Sequence, residues 1–287
     1  MNGALIPMVK GDLGQALCQI GASFCEAERR NMELVLCKPN VILFACHAAM
    51  MMGRGEKAQD KKDAESMLDS VFGIEQDAMP YTEKSRPERI EPSSGAARLL
   101  VKGLFDDSKW FRGFASEALR SVLRTKLMTA EASERERLSG MAFIHFAAGC
   151  QFDSHIVYYS RAISALRSAV PSVRFEVFSD DMMSEKDRAQ VRRICDACGV
   201  RETLGSFFSR TWKQTDVLRS MSSCGRGGVC SDRWVSWWAA FSCCSSSATF
   251  AVPAVPWSAD TFDKLNFMCE SGIQKRGAHH MFSVPIW

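Results

Sequence analysis

The chain has 287 residues, 46% of them hydrophobic and 24% charged, which is typical of a globular protein with one large domain or two ordinary ones. Its net charge of +3 is spread over both signs, and no arginine-rich run is interleaved with aromatic residues, so nucleic acid is not indicated as a partner. The longest apolar block, 41–52, is interrupted by His47 and is too short to span a membrane. Since the N-terminus also lacks a signal-peptide pattern, we predict a soluble, unprocessed, cytoplasmic protein.

The twelve cysteines are scattered along the chain, which fits reduced thiols in the cytosol better than a disulfide framework. Cys195 and Cys198 have the spacing of a metal or redox pair. No second such pair and no histidine pair lies nearby, and the two cysteines fall near the end of a predicted helix. The pattern therefore favours packing, with a metal or redox site as the weaker alternative.

The first predicted elements form a strand, a glycine turn and a helix. Residues 4–9 are apolar enough for a strand, although Pro7 could not donate within an interior ladder. The turn 10–14 leads into a helix with one apolar face that ends at Arg29 and Arg30, and residues 33–37 form the next strand. Glycines at a strand-to-helix turn let the backbone approach an anion, so this turn is a weak candidate for a phosphate site.

The middle of the chain is more polar. We predict a helix at 58–72, a strand at 99–104 and a helix at 117–128. The charged stretch 131–137 is typical of a crossing between domains. This composition change predicts an N-terminal domain of residues 1–139 and a C-terminal domain of residues 140–287.

Residues 141–181 predict a strand, a helix and a second strand. The apolar runs 141–146 and 175–178 are typical of buried parallel strands, and the helix between them stops at Pro171. In such a unit, ligands bind beyond the carboxyl ends of the strands. The polar residues at these ends should therefore face one crevice; they are His145, Ser179, Asp180 and Asp181.

The remaining elements are three helices and two strands. Ser184 and Asp187 have capping-box spacing at the start of a helix that runs to Cys198, and Thr215 is predicted to cap the next helix. A short strand at 228–231, a helix at 232–241 and a strand at 249–257 complete the predicted C-terminal domain.

Several of these segments resemble the alpha-1,2-fucosyltransferases of glycosyltransferase family eleven. The closest match is 158–181, where a Tyr-Tyr helix leads to a strand ending Phe-Ser-Asp-Asp. The turn and helix from Gly11, the segment 103–111 and the Ser-Trp-Trp sequence from Ser236 follow in family order. The resemblance covers most of the chain from about residue 10 to 257. It implies an α/β fold of GT-B type, with two facing Rossmann-like domains and parallel sheets.

The resemblance also implies a metal-independent, inverting transfer, with no cofactor beside the nucleotide-sugar donor. It assigns base recognition to His145 and the Asp180-Asp181 pair. The residues we predict to bind the donor are Gly11, Gly14, Gln15, His145, Ser179, Asp180, Asp181, Asp232, Arg233 and Ser236.

This chain departs from the family at the donor diphosphate. The family has arginine after its histidine, whereas this chain has Ala147 and Ala148. Arg233, at the start of a predicted helix, is our candidate for a substitute cation. An inverting transfer also needs a base for the acceptor hydroxyl. Asp12 on the glycine turn is the first candidate, with Asp153 and His155 on a short loop behind it.

The prediction is thus a glycosyltransferase that moves a sugar from a GDP- or UDP-linked donor to a glycan acceptor. The resemblance implies GDP-fucose, and another donor such as UDP-xylose is the alternative within the class. The alternative outside the class is a non-catalytic, fucosyltransferase-like protein that binds a glycan or a protein partner. The lost arginines favour that reading.

Overall fold

The computed structural model describes residues 3–43, 54–75, 98–101, 121–123, 125, 132–146, 152–179, 184–200, 213–231, 234–242, 248–254 and 280–285. Its helices are α1 (Leu13–Arg30), α2 (Arg54–Phe72), α3 (Ala132–Ser139), α4 (Phe152–Ala169), α5 (Glu185–Ala197), α6 (Gln214–Ser222) and α7 (Trp234–Ser242). Its strands are β1 (Ala4–Pro7), β2 (Val9–Gly11), β3 (Glu33–Leu34), β4 (Leu36–Cys37), β5 (Val41–Leu43), β6 (Ile74–Glu75), β7 (Arg98–Val101), β8 (Met141–Phe146), β9 (Arg174–Ser179), β10 (Gly227–Val229), β11 (Thr249–Ala254) and β12 (His280–Pro285).

The strands of the described residues pair in parallel throughout. One sheet has the order β3-β1-β7, a second has the order β12-β11-β10-β8-β9, and two short pairs are β2-β5 and β4-β6. Parallel strands need crossover connections, and helices lie between most of them in the chain. The predicted α/β class with parallel sheets is confirmed.

The five-stranded sheet reverses its direction of winding between β8 and β10. Counted from β8, its strands have the order 2-1-3-4-5, which is the flavodoxin-like doubly wound order. The chain leaves β8 through α4 to reach β9 on one side, and β10 then lies on the other side of β8. Connections that diverge from neighbouring strands leave a crevice at the carboxyl ends of β8 and β10. Ligands of such sheets bind at this switch point.

Both faces of the sheet are buried, as the continuous apolar run of β8 predicts. Ala142 and Ile144 belong to one cluster of buried residues, with the inner faces of α4 and α5. Met141 and Phe143 belong to a second cluster, which includes α6 and α7. This second cluster continues without interruption into α1 and α2 of the N-terminal half.

Polar contacts between described residues also join the two halves beside this shared core. The Trp238 indole Nε1 donates to the Gly14 carbonyl oxygen at 3.1 Å, and Leu13 N donates to Gln214 Oε1 at 3.2 Å. Lys213 Nζ lies 2.8 Å from Asp63 Oδ2. The start of α1 thus packs directly against α6 and α7. The domain boundary near residue 140 stays a prediction.

The ends of several elements differ from those predicted. The strand predicted for 4–9 is two strands, β1 and β2, and β1 pairs with β3 only through Ala4 and Leu5. The break follows Pro7, which has no N–H to donate to a ladder. The cap predicted at Thr215 is wrong, because α6 already begins at Gln214 and Lys213 is its N-cap residue. Thr215 is instead buried within the first turn.

Other elements follow the sequence closely. Ser184 caps α5 in a capping box with Asp187, as predicted, and α1 ends at Arg30 with Asn31 in the left-handed conformation. Strand β12, which pairs along its whole length with β11, was not predicted. The segment 103–111 and most of the helix predicted at 117–128 lie outside the described residues.

The end of α1 contains an acid-sensitive ion pair. Arg29 Nε and Nη2 donate to the two carboxylate oxygens of Glu26 at 2.8 and 2.6 Å, and Arg30 Nε lies 2.5 Å from Oε1. The hydrogen bond from Arg29, together with Arg30, lowers the pKa of Glu26 to about 2. A carboxyl group with a lowered folded-state pKa stabilises the fold above its unfolded pKa, and this contribution is lost as the pH falls toward 2.

We therefore expect Glu26→Gln to lower the free energy of unfolding by about 1 kcal/mol at pH 7, a value reduced for solvent screening of the exposed arginines. The difference from the wild type should disappear between about pH 5 and pH 2. Urea unfolding followed by circular dichroism at several pH values measures both. Glu136→Gln, at an exposed glutamate of α3, is the matched control. An equal loss at pH 2 and pH 7 would contradict the assignment.

Candidate functional site

The switch point of the five-stranded sheet carries a buried histidine and a serine in contact with each other. His145 is the fifth residue of β8, and Ser231 lies two residues beyond the end of β10. His145 Nδ1 is 2.7 Å from Ser231 Oγ, and both residues are almost completely buried. The hydrogen bond thus joins the carboxyl ends of the two strands between which the sheet changes its winding direction.

A second serine extends this contact to the start of α7. Ser231 N donates to Ser236 Oγ at 3.2 Å, and the two hydroxyl oxygens are 3.5 Å apart. Ser236 is buried in the first turn of α7, where backbone N–H groups have no partner within the helix. His145, Ser231 and Ser236 therefore form one polar cluster, which we name the switch-point cluster. Polar side chains beside a helix N-terminus provide hydrogen bonds of the kind that an anionic or nucleoside ligand uses.

Two adjacent tyrosines of α4 fix the strand ends beneath this cluster. Tyr159 Oη donates to the His145 carbonyl oxygen at 2.9 Å. Tyr158 Oη donates to the carbonyl oxygens of Cys230 and, at 3.2 Å, of Ala251. Both rings are buried, so their hydroxyl groups hold β8, β10 and β11 in one arrangement without contact to solvent. The Tyr-Tyr pair that carried part of the family resemblance thus has a structural role in this chain.

The structure brings only some of the predicted donor residues together. His145 and Ser236 belong to the switch-point cluster. Ser179 is buried at the end of β9, but its register partner is Phe146, so it projects from the opposite face of the sheet to His145. Four other predicted residues, together with the two alanines that replace the family's arginines, lie outside the described residues; they are Asp180, Asp181, Asp232, Arg233, Ala147 and Ala148.

Ser231 is a residue of this cluster that the sequence pattern did not reveal. Residues 228–231 were predicted to form a strand, whereas β10 ends at Val229, so Ser231 lies beyond the carboxyl end of the strand and not inside it. A polar residue directly after a predicted strand of a doubly wound sheet was the available signal. Its partner His145 is 86 residues away in the chain, and no local pattern indicates that contact.

Asp153 and His155 lie in the first turn of α4, not on a loop as predicted. An aspartate in a first helical turn is stabilised by the helix dipole, so the sequence FDSH is compatible with a helix start. Their role as candidates for the base stays a prediction.

The glycine turn before α1 is closed by its own side chains. Gly11 has φ of +111°, and Asp12 is the N-cap residue of α1. Asp12 Oδ1 accepts from Gln15 N at 2.9 Å, while Gln15 Oε1 accepts from Asp12 N at 3.3 Å. The N–H groups of Asp12 and Gln15 are thereby engaged within the turn, and Leu13 N donates to Gln214 Oε1. Donor binding by Gly11, Gly14 and Gln15, and base catalysis by Asp12, stay predictions.

The cysteine pair fits a packing role. Burial raises the pKa of the Cys195 thiol to about 12, so this thiol remains protonated at neutral pH. Cys198 Sγ lies 3.6 Å from Ser160 Oγ. Within the described part of the chain, no group of three or more histidine, cysteine or acidic side chains is arranged to hold a metal ion. The helices described here also include none that is long and apolar enough to cross a membrane.

Comparisons with known proteins find similarity at the level of structure. No family model and no curated protein matches the sequence. A structure of the NodZ alpha-1,6-fucosyltransferase co-crystallized with GDP matches with 11% identity and a TM-score of 0.41, over 83% of this chain and 92% of that chain. The E. coli heptosyltransferase WaaC with ADP matches with 11% identity and a TM-score of 0.43, over 97% of this chain and 92% of that chain. These neighbours are glycosyltransferases, but likeness at this level assigns no activity to the chain. The narrower resemblance to alpha-1,2-fucosyltransferases stays a prediction.

Proposed function

We propose that the chain is a glycosyltransferase that binds a nucleotide sugar at the carboxyl ends of β8 and β10. The observation that carries this proposal is the switch-point cluster. A fully buried imidazole and two buried hydroxyl groups meet at the place where doubly wound sheets bind their ligands. Burial of polar groups is costly unless they are hydrogen-bonded, and here the buried groups are hydrogen-bonded to one another at the ligand-binding end of the sheet, which supports a binding role.

The kind of ligand follows from the chemistry at this position. A nucleotide presents a flat base with hydrogen-bonding edges, and a histidine ring offers one donor and one acceptor in its neutral form. The N-terminus of α7 favours the negative charge of a diphosphate. The family resemblance adds the sugar, with GDP-fucose as the donor it implies and UDP-xylose or another nucleotide sugar as the alternative. In this proposal the two halves form a GT-B type arrangement and the acceptor is a glycan.

The proposed chemistry is an inverting transfer without a metal ion. A carboxylate takes the proton of the acceptor hydroxyl as the hydroxyl oxygen bonds to the anomeric carbon of the sugar and the bond from that carbon to the departing nucleoside diphosphate breaks. Asp12 remains our first candidate for this base. Its Oδ1 accepts from Gln15 N, and an ionised carboxylate has further acceptor capacity on both oxygens. Asp153 and His155 of α4 are the second candidates.

One observation favours the non-catalytic alternative. The turn that would approach an anion is closed by Asp12 and Gln15, and Leu13 N is engaged by Gln214. Together with the alanines at 147 and 148, this closed turn would suit a protein that kept the fold and binds a glycan or a protein partner.

Calorimetric titration with GDP, UDP, ADP, CDP and their sugar conjugates separates these possibilities. We expect one nucleoside diphosphate to bind at least about tenfold more tightly than the others, because a site that hydrogen-bonds a base rejects bases that leave its polar groups unpaired. Preference for GDP selects GDP-fucose as the donor for transfer assays, and preference for UDP selects UDP-xylose. Lack of binding by the whole panel would overturn the proposal in favour of the non-catalytic alternative.

A further inference from the structure

We propose that Ser231 is a positioning residue that holds the His145 imidazole in one tautomer and one orientation. The consequence of this positioning is selective nucleotide binding, which rests on the proposed function. The positioning itself depends only on the side chains of Ser231 and His145. The sequence pattern indicates at most a polar residue near the end of a strand, and the structure supplies the contact with His145.

The hydrogen-bonding roles of the two nitrogens of the His145 ring are linked. A neutral imidazole has one nitrogen that donates and one that accepts, and the role taken by one nitrogen decides the role of the other. His145 Nδ1 lies 2.7 Å from Ser231 Oγ, and the ring has no exposed surface. Bulk water does not reach the ring to replace this partner, so the role that the Ser231 hydroxyl takes at Nδ1 fixes the role of Nε2. A hydroxyl that donates to Nδ1 leaves the N–H on Nε2, and a hydroxyl that accepts from Nδ1 leaves Nε2 as an acceptor.

Ser231 is itself held in place by hydrogen bonds to its backbone and to that of its neighbour. The N–H of Ser231 donates to Ser236 Oγ at 3.2 Å, which fixes its backbone to the first turn of α7. The preceding carbonyl, on Cys230, accepts from the Tyr158 hydroxyl. The Ser231 side chain is thus held between a helix and a strand end, on rigid elements. A site residue supported in this way keeps its geometry within a fraction of an ångström.

The backbone of His145 is also fixed by a hydrogen bond. The His145 carbonyl oxygen accepts from Tyr159 Oη at 2.9 Å, so the main chain of β8 is fixed by α4 while the ring is fixed by Ser231. Two independent hydrogen bonds therefore define the ring position. Support of a functional histidine through its second nitrogen orients the ring and sets its tautomer, as it does for histidines that bind metal ions.

Ser236 should contribute less than Ser231. Its hydroxyl accepts from Ser231 N at 3.2 Å and is 3.5 Å from Ser231 Oγ. We expect Ser236→Ala to weaken nucleotide binding less than Ser231→Ala does, because it acts on the ring through the position of Ser231.

The direct test is the tautomer of His145, observed by long-range proton–nitrogen correlation NMR on the nitrogen-labelled full chain. The chain has five histidines, and the signal that disappears in His145→Gln belongs to His145. We expect a single tautomer in the wild type, a changed or mixed tautomer in Ser231→Ala, and restoration in Ser231→Thr, which keeps the hydroxyl group. Ser242→Ala is the matched control, because Ser242 is a buried serine at the far end of α7 whose hydroxyl donates to the Trp238 carbonyl.

The second readout is the dissociation constant of the nucleoside diphosphate that the wild type prefers. Ser231→Ala should raise it about tenfold, which is the effect of one buried hydrogen bond to a ring that must be oriented. Ser231→Thr should restore it to within about threefold, and Ser242→Ala should leave it unchanged. Near-ultraviolet circular dichroism checks that each variant is folded. Should Ser231→Ala fail to fold, Ser231→Cys carries the test, since it keeps the volume but weakens the hydrogen bond.

The possible outcomes separate the inference from the proposed function. A changed tautomer with weakened nucleotide binding supports both. A changed tautomer in a protein that binds no nucleotide supports the positioning role and overturns the proposed function. An unchanged His145 signal in Ser231→Ala overturns the positioning role, whatever the nucleotide result.

Discussion

Replacing Gly227 by alanine should lower the free energy of unfolding by at least about 4 kcal/mol, or prevent folding, because the new Cβ has no space. Gly227 begins β10 and has φ of +101°, a conformation that residues with a side chain rarely adopt. A Cβ atom there would lie 1.8 Å from the carbonyl oxygen of Thr249, its register partner on β11. The obstacle is backbone of the next strand, so the sheet itself would have to move. Urea unfolding followed by circular dichroism measures the loss.

Gly73→Ala is the control for backbone strain without a clash. Gly73 also has a positive φ, of +74°, but a Cβ there meets no atom within 4 Å. We expect a loss of about 1 kcal/mol for this variant. Gly140→Ala, where the Cβ would meet only the Arg174 guanidinium at 3.9 Å, should cost less still. Equal losses for Gly227→Ala and Gly73→Ala would contradict the close approach of β10 to β11.

Replacing Arg137 by alanine should lower the free energy of unfolding by about 3 kcal/mol, because it removes the cation that is paired with a buried carboxylate. Arg137 Nη1 and Nη2 lie 2.9 and 3.4 Å from the two carboxylate oxygens of Glu176. Glu176 projects from the middle of β9 and is only 3% exposed, whereas the Arg137 side chain is 43% exposed. The hydrogen bond to Glu176 raises the pKa of Arg137. The ion pair thus attaches α3 to the sheet.

A double-mutant cycle measures the pair itself. Glu176→Gln removes the charge and keeps a side chain of the same shape, so its loss should be smaller, about 1 to 2 kcal/mol. The double variant Arg137→Ala with Glu176→Gln should lose less than the sum of the two, because the unpaired charge is gone. Additive losses would show that the two side chains do not interact, which would contradict the geometry.

The local parts of the fold could be predicted because their signals are local. The unit of β8, α4 and β9 follows from two apolar runs, one helical period and Pro171. The capping box at Ser184 follows from a spacing of three residues. Strand β12 could not be predicted in the same way, because its identity as a strand depends on β11, from which 25 residues separate it. The break between β1 and β2 also could not be predicted. Pro7 is visible in the sequence, but whether a proline interrupts a strand depends on the strands that pair with it.

Some residues of the candidate site could be predicted from the sequence, but the contacts between them could not. His145 was found because it lies at the carboxyl end of a predicted strand, and Ser236 because the Ser-Trp-Trp sequence resembles that of the family. Ser231 was missed because the strand was predicted to end at residue 231, two residues beyond the observed end of β10 at Val229. The hydrogen bonds of Tyr158 and Tyr159 to the backbone of β8, of β11 and of Cys230 after β10 depend on which strands are neighbours, and that order is set by the winding of the whole sheet. Sequence patterns place residues on elements, and the topology then decides which of them meet.

The central claim is that a nucleotide binds at the carboxyl ends of β8 and β10, and amide hydrogen exchange with and without the preferred nucleoside diphosphate tests it most directly. We expect slower exchange in peptides that cover 141–146 and 227–236, and little change in peptides from α2, which lies outside the switch point. Slower exchange confined to the turn at 10–16, with no change at either strand end, would contradict the account and place the ligand on α1 instead.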